Sequence, residues 1–223
     1  GPAILKVEGL ATPAVGPVSF QIRRGELLGL AGLRGAGHED IGRALFGVIP
    51  HAGRVTLDGQ APDLRTAQTA MRSGIGLVAR DRIGESVAPG LAIRENAFLN
   101  PSATGRGLLS VLSSRREEAM AQAIGRRVGL SPNDPTLAIE ALSGGNQQKV
   151  AIARLLHADV DLLLLDEPTR GIDVGSKALI YQLIDELALG DPSSRRRPRA
   201  VLMVSSYLPE LFGVCDRLAV MRK

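Results

Sequence analysis

Two apolar runs in this chain lack the alternation of a half-buried strand: Glu26-Leu27-Leu28-Gly29-Leu30-Ala31 and Asp161-Leu162-Leu163-Leu164-Leu165-Asp166. Short uninterrupted runs of this kind fit strands covered on both faces, as in a parallel sheet. Gly74 to Ala79 and Ala200 to Val204 read as further strands of that sheet. Ile4 to Glu8, Val18 to Ile22 and Arg54 to Leu57 read as an antiparallel flank, the last strand bounded by Gly53 and by Asp58-Gly59. Helical spacing interrupts the strands. Ile41, Ala44 and Leu45 fall on one face, and from about Arg82 onward the pattern is helical, first over Ala92 to Leu99. A capping box then opens a helix at Ser114, with Glu117 three residues on and Met120, Ala123 and Ile124 on one face. Ile180, Leu183, Ile184 and Leu187 mark another amphipathic helix, stopped by Gly190. The sequence holds no internal repeat.

Composition leaves this picture in place. At 223 residues, 44% apolar and 22% charged, the chain has the size and make-up of a soluble domain or of a core with an inserted subdomain. The longest stretch free of charge, Gly9 to Ile22, is broken by Pro13 and Pro17 and is too short to span a bilayer. The single cysteine, Cys215, excludes an internal disulfide and reads as a small buried hydrophobe of a cytosolic protein. The net charge of +4 owes part of its excess to Arg195-Arg196-Arg197-Pro198-Arg199, which reads as a solvated loop. No aromatic residues are interleaved there to stack on bases, which argues against nucleic-acid binding. Gly1-Pro2, in place of a starting methionine, and Met221-Arg222-Lys223, at the end of a strand, fit a domain cut from a longer protein, with a natural short subunit as the alternative.

Three segments carry chemistry. Leu142-Ser143-Gly144-Gly145-Asn146-Gln147-Gln148-Lys149-Val150 places a capping serine and two glycines before a helix, which suits either contact with an external phosphate or an ordinary loop ahead of a helix. One helix and a turn later, Asp166 and Glu167 arrive together at the carboxyl edge of the sheet. Such a pair can cap or merely solvate, or it can serve a nucleoside triphosphate site, one carboxylate for Mg²⁺ and one to orient the attacking water. Upstream, Gly32-Leu33-Arg34-Gly35-Ala36-Gly37-His38-Glu39 has the strand–loop–helix layout of a phosphate loop, G-x-x-x-x-G-K-[ST]. His38 and Glu39 stand where that pattern has a lysine and a hydroxyl, and a glycine-rich turn without a ligand is the alternative.

In this order the segments resemble the nucleotide-binding domains of ABC ATPases. GLRGAG, LSGGNQQKV, DEPTRGIDVGSK and Val204-Ser205-Ser206-Tyr207-Leu208-Pro209-Glu210 resemble the second ABC half of bacterial monosaccharide importers of the ribose and galactose type. The resemblance implies an α/β P-loop NTPase (RecA-like) fold with an antiparallel flank and an inserted helical subdomain. It places the nucleotide-binding core at 1–81 and 151–223 and the helical signature subdomain at 82–150. It implies ATP and Mg²⁺ as cofactors, with nucleotide at Gly32, Leu33, Arg34, Gly35, Ala36, Gly37, His38 and Glu39. Asp166 becomes the metal residue and Glu167 and Ser206 the catalytic positions, Ser206 replacing the usual switch histidine. Arg80 stands at the Q-loop glutamine, Gly171, Ile172 and Asp173 form the D-loop, and Leu142, Ser143, Gly144, Gly145, Asn146 and Gln147 form the signature. Partners implied are another ABC half, fused or identical, transmembrane permease subunits and, indirectly, a periplasmic sugar-binding protein, at the cytoplasmic face of the inner membrane.

Because ABC halves pair head to tail, the resemblance assigns this signature to an ATP held mainly by the partner half. The chain's own site departs from the pattern at several positions. Replacing the lysine by His38 forfeits a charge-assisted hydrogen bond, on the order of 1.5 to 3 kcal/mol. Glu39 adds a repulsion of roughly 4 kcal/mol against phosphate at contact distance and an effective dielectric of 20. Arg80 and Ser206 depart likewise, and no aromatic residue precedes Phe20 to stack on adenine. The expectation is an asymmetric ATPase domain whose signature completes a partner's site while its own site binds or hydrolyses weakly. A non-hydrolysing scaffold and a soluble non-transport ABC protein are the alternatives. A long coiled coil of the DNA-repair kind has no room between phosphate loop and signature.

Overall fold

Alternating burial organises the first sheet. In the computed structural model, which describes residues 2–32, 35–99, 114–158, 160–190 and 197–221, β1 (Ala3–Ala11) buries Leu5 and Val7 and exposes Lys6 and Glu8. It pairs antiparallel with β2 (Val18–Arg23) on one side and β4 (Ala52–Leu57) on the other, giving the order β2-β1-β4. Asp58 and Gly59 turn the chain out of β4 with positive φ at both. This is the expected antiparallel flank, each strand running a residue or more longer than its apolar core.

The second sheet has five strands in the order β5-β6-β7-β3-β8: β3 (Leu27–Gly32), β5 (Ile75–Val78), β6 (Leu162–Asp166), β7 (Ala200–Val204) and β8 (Arg217–Met221). β7 lies between β3 and β6 and pairs parallel with both, and β8 pairs parallel with β3. Every residue of β6 and β7 is buried, which accounts for their unbroken apolar sequences. One core joins the two sheets. Leu5, Val7, Leu10 and Ile22 of the flank pack in the same cluster as Leu28, Leu30, Leu162, Leu164 and Leu202, with Ile41, Ala44 and Leu45 of α1 (His38–Leu45).

The chain forms two compact units, Gly1–Leu77 with Val160–Pro168 and Asp185–Lys223, and Val78–Asp159 with Thr169–Ile184. The second takes in the stretch 82–150 and also the remainder of α5 (Gly144–His157) and the first part of α6 (Val174–Leu189). Within it α3 (Ile93–Ala97), α4 (Ser114–Arg127) and α5 pack on one another. Buried Asn96 ties the approach to α3, accepting the Ala88 N–H at 2.7 Å and donating to the carbonyls of Ala88, Leu91 and Ala92.

Several expectations need correction. α3 is shorter than Ala92 to Leu99. On α4 the buried face runs through Ala121 and Gly125 and on to Val128 just past its end, while Ala123 is exposed. The reason is Gly125, where the Asn133 side chain lies against the helix and donates to the Gln122 carbonyl at 3.0 Å. Two short helices escaped the periodicity: α2 (Ala67–Arg72), held by a reciprocal Thr66–Thr69 cap, and α7 (Leu208–Val214), whose Leu208 and Phe212 are exposed. In the basic run, Arg197 and Pro198 are exposed, but Arg199 is buried, and its backbone bonds Gly25 and Ala188. Asp191 to Arg196 lie outside the described residues.

Cys215 is half-buried against Gly29 of β3, where a Cβ would stand 2.9 Å from its sulfur. Burial first, then Glu210 and Asp216, push its thiol up to about 12. Native Cys215 should therefore react with a thiol reagent at pH 8 at least on the order of 100-fold more slowly than the unfolded chain, a difference stopped-flow labelling with and without denaturant measures. Leu164, 1% exposed in the shared core, sets the packing scale. Leu164→Ala should cost about 2 to 5 kcal/mol in equilibrium urea unfolding.

Candidate functional site

Strand register decides what meets at the carboxyl edge of the parallel sheet. Leu30 of β3 and Asp166 of β6 both pair with Val204 of β7, so the three residues form one row. Beyond that row β3 runs into the glycine-rich loop, β6 into Glu167, and β7 into Ser205 and Ser206. The first unit thus brings the predicted loop, carboxylates and switch position to one edge of its sheet.

The loop enters α1 through Gly37, whose left-handed φ of 76° caps the helix. A side chain there would overlap Val15, so glycine is required twice over, by conformation and by packing. His38 is 1% exposed, and its imidazole lies against Gly32, with Nδ1 2.5 Å from where a Cβ on Gly32 would be. The chain's own imidazole thus takes the space beside Gly32. Glu39 and Asp40 make the first turn of α1 acidic, which stabilises the helix and opposes an incoming anion. Leu33 and Arg34 lie outside the described residues.

Glu167 is the most constrained carboxylate of the edge. Its backbone adopts a left-handed φ of 49°, a conformation costing a non-glycine residue on the order of 1 kcal/mol or more, and its N–H is anchored on the Val204 carbonyl at 2.8 Å. One carboxylate oxygen accepts the Ser206 backbone N–H at 2.7 Å, and the other lies 3.4 Å from the Ser205 hydroxyl. Ser205 donates to Glu210 at 2.7 Å and accepts the Tyr207 N–H at 3.1 Å. The structure therefore brings Glu167 and Ser206 together, through the serine backbone rather than its hydroxyl. Within the string Val204 to Glu210, neither Ser205 nor Glu210 has a role of its own in the sequence reading, because a serine and a glutamate ahead of an apolar turn look like a helix start. Asp166 is 5% exposed, and no three His, Cys, Asp or Glu side chains among the described residues cluster to hold a metal. Its carboxylate suits Mg²⁺ in donor type, provided phosphate oxygens complete the coordination.

The second unit holds the signature. Ser143 is exposed and caps α5, accepting the Asn146 backbone N–H at 3.4 Å and its side-chain amide at 3.1 Å. Asn146 also clasps the backbone of Ser131, donating to its carbonyl at 2.6 Å. Gln147 donates to the carbonyls of Leu142 and Ile139 at 3.1 and 3.3 Å. Leu142 is buried. Gly145 lies against α6, where a Cβ would stand 2.6 Å from the Ser176 hydroxyl and 3.4 Å from Ile172. Asp173 caps α6 by accepting the Ser176 N–H at 2.9 Å, which holds its carboxyl below the ordinary carboxylate range. Gly171 is exposed with a φ of 69°, and Arg80 is half-buried just past β5. Lys149 is buried and donates to the Gly129 carbonyl at 2.8 Å, with burial lowering its pKa against the pull of Asp173.

The sequence profile of the ABC transporter family matches residues 15–170, from the loop beside Gly37 to the residue after Thr169. The chain belongs to the ABC transporter family. Among curated relatives of this ABC domain, a putative ribose/galactose/methyl galactoside import ATP-binding protein of Agrobacterium fabrum is 42% identical over the whole chain. A ribose import ATP-binding protein of Hahella chejuensis is 40% identical, again over the whole chain. An arabinose import ATP-binding protein of Burkholderia cenocepacia is also 40% identical. The chain spans 43%, 44% and 42% of the lengths of these relatives. Among solved structures, an ATP-binding cassette of an ABC transporter in its ADP conformation superposes with a TM-score of 0.79 at 20% identity, over 99% of this chain and 88% of its own. A dimeric cassette bound to ADP and phosphate superposes at 0.78 with 22% identity, over 98% of this chain and 94% of its own. At these identities the structures establish the ABC cassette fold.

Ser205→Val should destabilise the domain by about 1 to 3 kcal/mol in chemical unfolding, since it removes the hydroxyl bonded by Glu210 and the Tyr207 N–H. A cost below about 0.5 kcal/mol would show that the bridge contributes nothing.

Proposed function

We propose that this chain is the ATP-binding domain of a sugar-import ABC transporter, and that its signature completes an ATP site on a partner ABC half while its own loop binds nucleotide weakly. The observation that carries this reading is the contrast between the two glycine-rich segments. The phosphate loop holds His38 folded against Gly32 and an acidic first helical turn, whereas Ser143 stands exposed at the capped start of α5. Relatives at 40 to 42% identity carry sugar-import names, which supports the transport assignment. Their greater length supports a second ABC half in the same polypeptide.

On this reading the reaction is ATP hydrolysis coupled to import. Ser143 and the backbone N–H groups of Gly144 and Gly145 meet the γ-phosphate of the partner's nucleotide, where the start of α5 favours negative charge. At the chain's own edge Glu167 is the water-orienting carboxylate, aimed by the Ser206 N–H. Asp166 would hold Mg²⁺, which when bound neutralises charge on the phosphates. Arg80, Ser206 and the D-loop residues Gly171, Ile172 and Asp173 take the family positions implied by the motifs, and 82–150 forms the signature subdomain. No helix among the described residues is long and apolar enough to cross a membrane. On this reading permease subunits supply the pore and, with a periplasmic binding protein, the sugar specificity. The domain then sits on the cytoplasmic face of the inner membrane.

Titration of Mg-ATP into this chain should give dissociation constants weaker than about 100 μM, and His38→Lys with Glu39→Thr should tighten binding at least about tenfold, the value of one restored charge-assisted bond. Micromolar binding with steady turnover by the unaltered chain would sink the asymmetric reading. Ser143→Ala in the full-length transporter separates it from a mere docking scaffold, which would keep its ATPase rate.

A further inference from the structure

The segment that follows β5 is held more firmly than a connecting loop requires. Asp81 accepts the Gly84 N–H at 3.0 Å, and a Cβ at 84 would displace that carboxylate. The Ser86 hydroxyl reaches back to Ala79, accepting its N–H at 2.9 Å and donating to its carbonyl at 3.2 Å. Arg154 donates to the Ser86 carbonyl at 2.6 Å, and the Val87 N–H closes a π-helical turn, Arg82–Ser86, on the Arg82 carbonyl at 2.8 Å. Together these bonds fix the backbone of Arg82.

Its side chain is thereby delivered to the signature. Nε donates to the Gln147 side-chain carbonyl at 3.1 Å, and Nη2 stands 3.0 Å from where a Cβ on Gly144 would be. Gln147 passes the constraint on, because its amide nitrogen holds the carbonyls of Ile139 and Leu142, immediately ahead of Ser143. Among the described residues Nη1 and Nη2 make no hydrogen bond, so the anchoring runs through Nε alone. With Lys149 turned to Gly129, Arg82 is, among the described residues, the cation beside Gly144 in the first turn of α5.

We propose that Arg82 is a positioning residue of the signature. Through Gln147 and Gly144 it fixes the direction of the first amides of α5, and it ties that direction to the segment after β5. The proposal rests on the reading that this signature completes a partner's ATP site. The partner's own loop supplies most of the ground-state affinity on that reading, so a loosened signature lowers kcat more than it raises KM.

The test is steady-state ATP turnover by the full-length protein with its partner ABC half. Arg82→Ala should lower kcat about tenfold, as expected for one lost charge-assisted hydrogen bond, with KM changed less than about threefold. Arg82→Lys, which keeps the charge but lacks the Nε donor, should not restore it. Gln147→Ala should give a similar loss, and the double variant should be no worse than the poorer single one, because both break one chain of bonds. Gly144→Ala should cost less in the Arg82→Ala background than alone, since the crowding side chain is gone. Independent, multiplying losses, or a loss explained by a lowered unfolding midpoint, would overturn the proposal. Unchanged turnover in Arg82→Ala beside lost turnover in Ser143→Ala would overturn it while sparing the functional reading. Unchanged turnover in Ser143→Ala would remove that reading and the proposal with it.

Discussion

The pairing of β7 between β3 and β6 is the constraint on which the first unit depends. Parallel strands in register end together, and here the shared row through Leu30, Val204 and Asp166 decides that three separate stretches of sequence leave the sheet at one edge. The edge is also where the backbone bonds run out. Val204 answers the Glu167 N–H through its carbonyl, Leu30 answers Ser205, and the next free donor, the Ser206 N–H, turns to the Glu167 carboxylate. The strained φ of Glu167 persists because this bonding leaves its backbone no easier place.

That edge was largely legible in the sequence, for a physical reason. Strands buried on both faces must be apolar at every position, so the leucines before Asp166 announce both the strand and its exit. The signature was legible in the same way, since Ser143 caps α5 as its sequence suggests. Signals carried by small residues failed. Ala123 is apolar enough to sit on either face of α4, and only the docking of Asn133 on Gly125 chose the other one. α7 escaped because its exposed positions are Leu208 and Phe212, which blurs the helical period. Ser205 and Glu210 gained no role because a serine and a glutamate ahead of an apolar turn read as a helix start, and the approach of Ser205 to Glu167, which leaves a different strand, is not encoded by spacing along the sequence.

Glycine does different work in the two phosphate-type segments, and that difference outweighs their likeness on paper. In the loop, Gly32 and Gly37 make room for the chain's own side chains, His38 and Val15, so the space freed by a missing Cβ is taken from within. At the start of α5, Gly144 and Gly145 are likewise backed by the chain itself, by Arg82 on one and Ser176 on the other. Yet there Ser143, at the cap itself, remains exposed, whereas His38 at the other segment is buried.

Support of this kind is what a preorganised donor needs. A helix start left unsupported would have to spend part of its interaction with an anion on ordering its first turn. Here Asn146 fixes the cap to Ser131, Gln147 fixes the carbonyls ahead of it, and Ser176 and Arg82 limit the glycines that would otherwise be the loosest residues of the turn. The acidic first turn of α1 and the supported first turn of α5 are therefore opposite solutions at two helix starts. One is stabilised by its own carboxylates and discourages an anion; the other is held by side chains while its capping serine stays exposed.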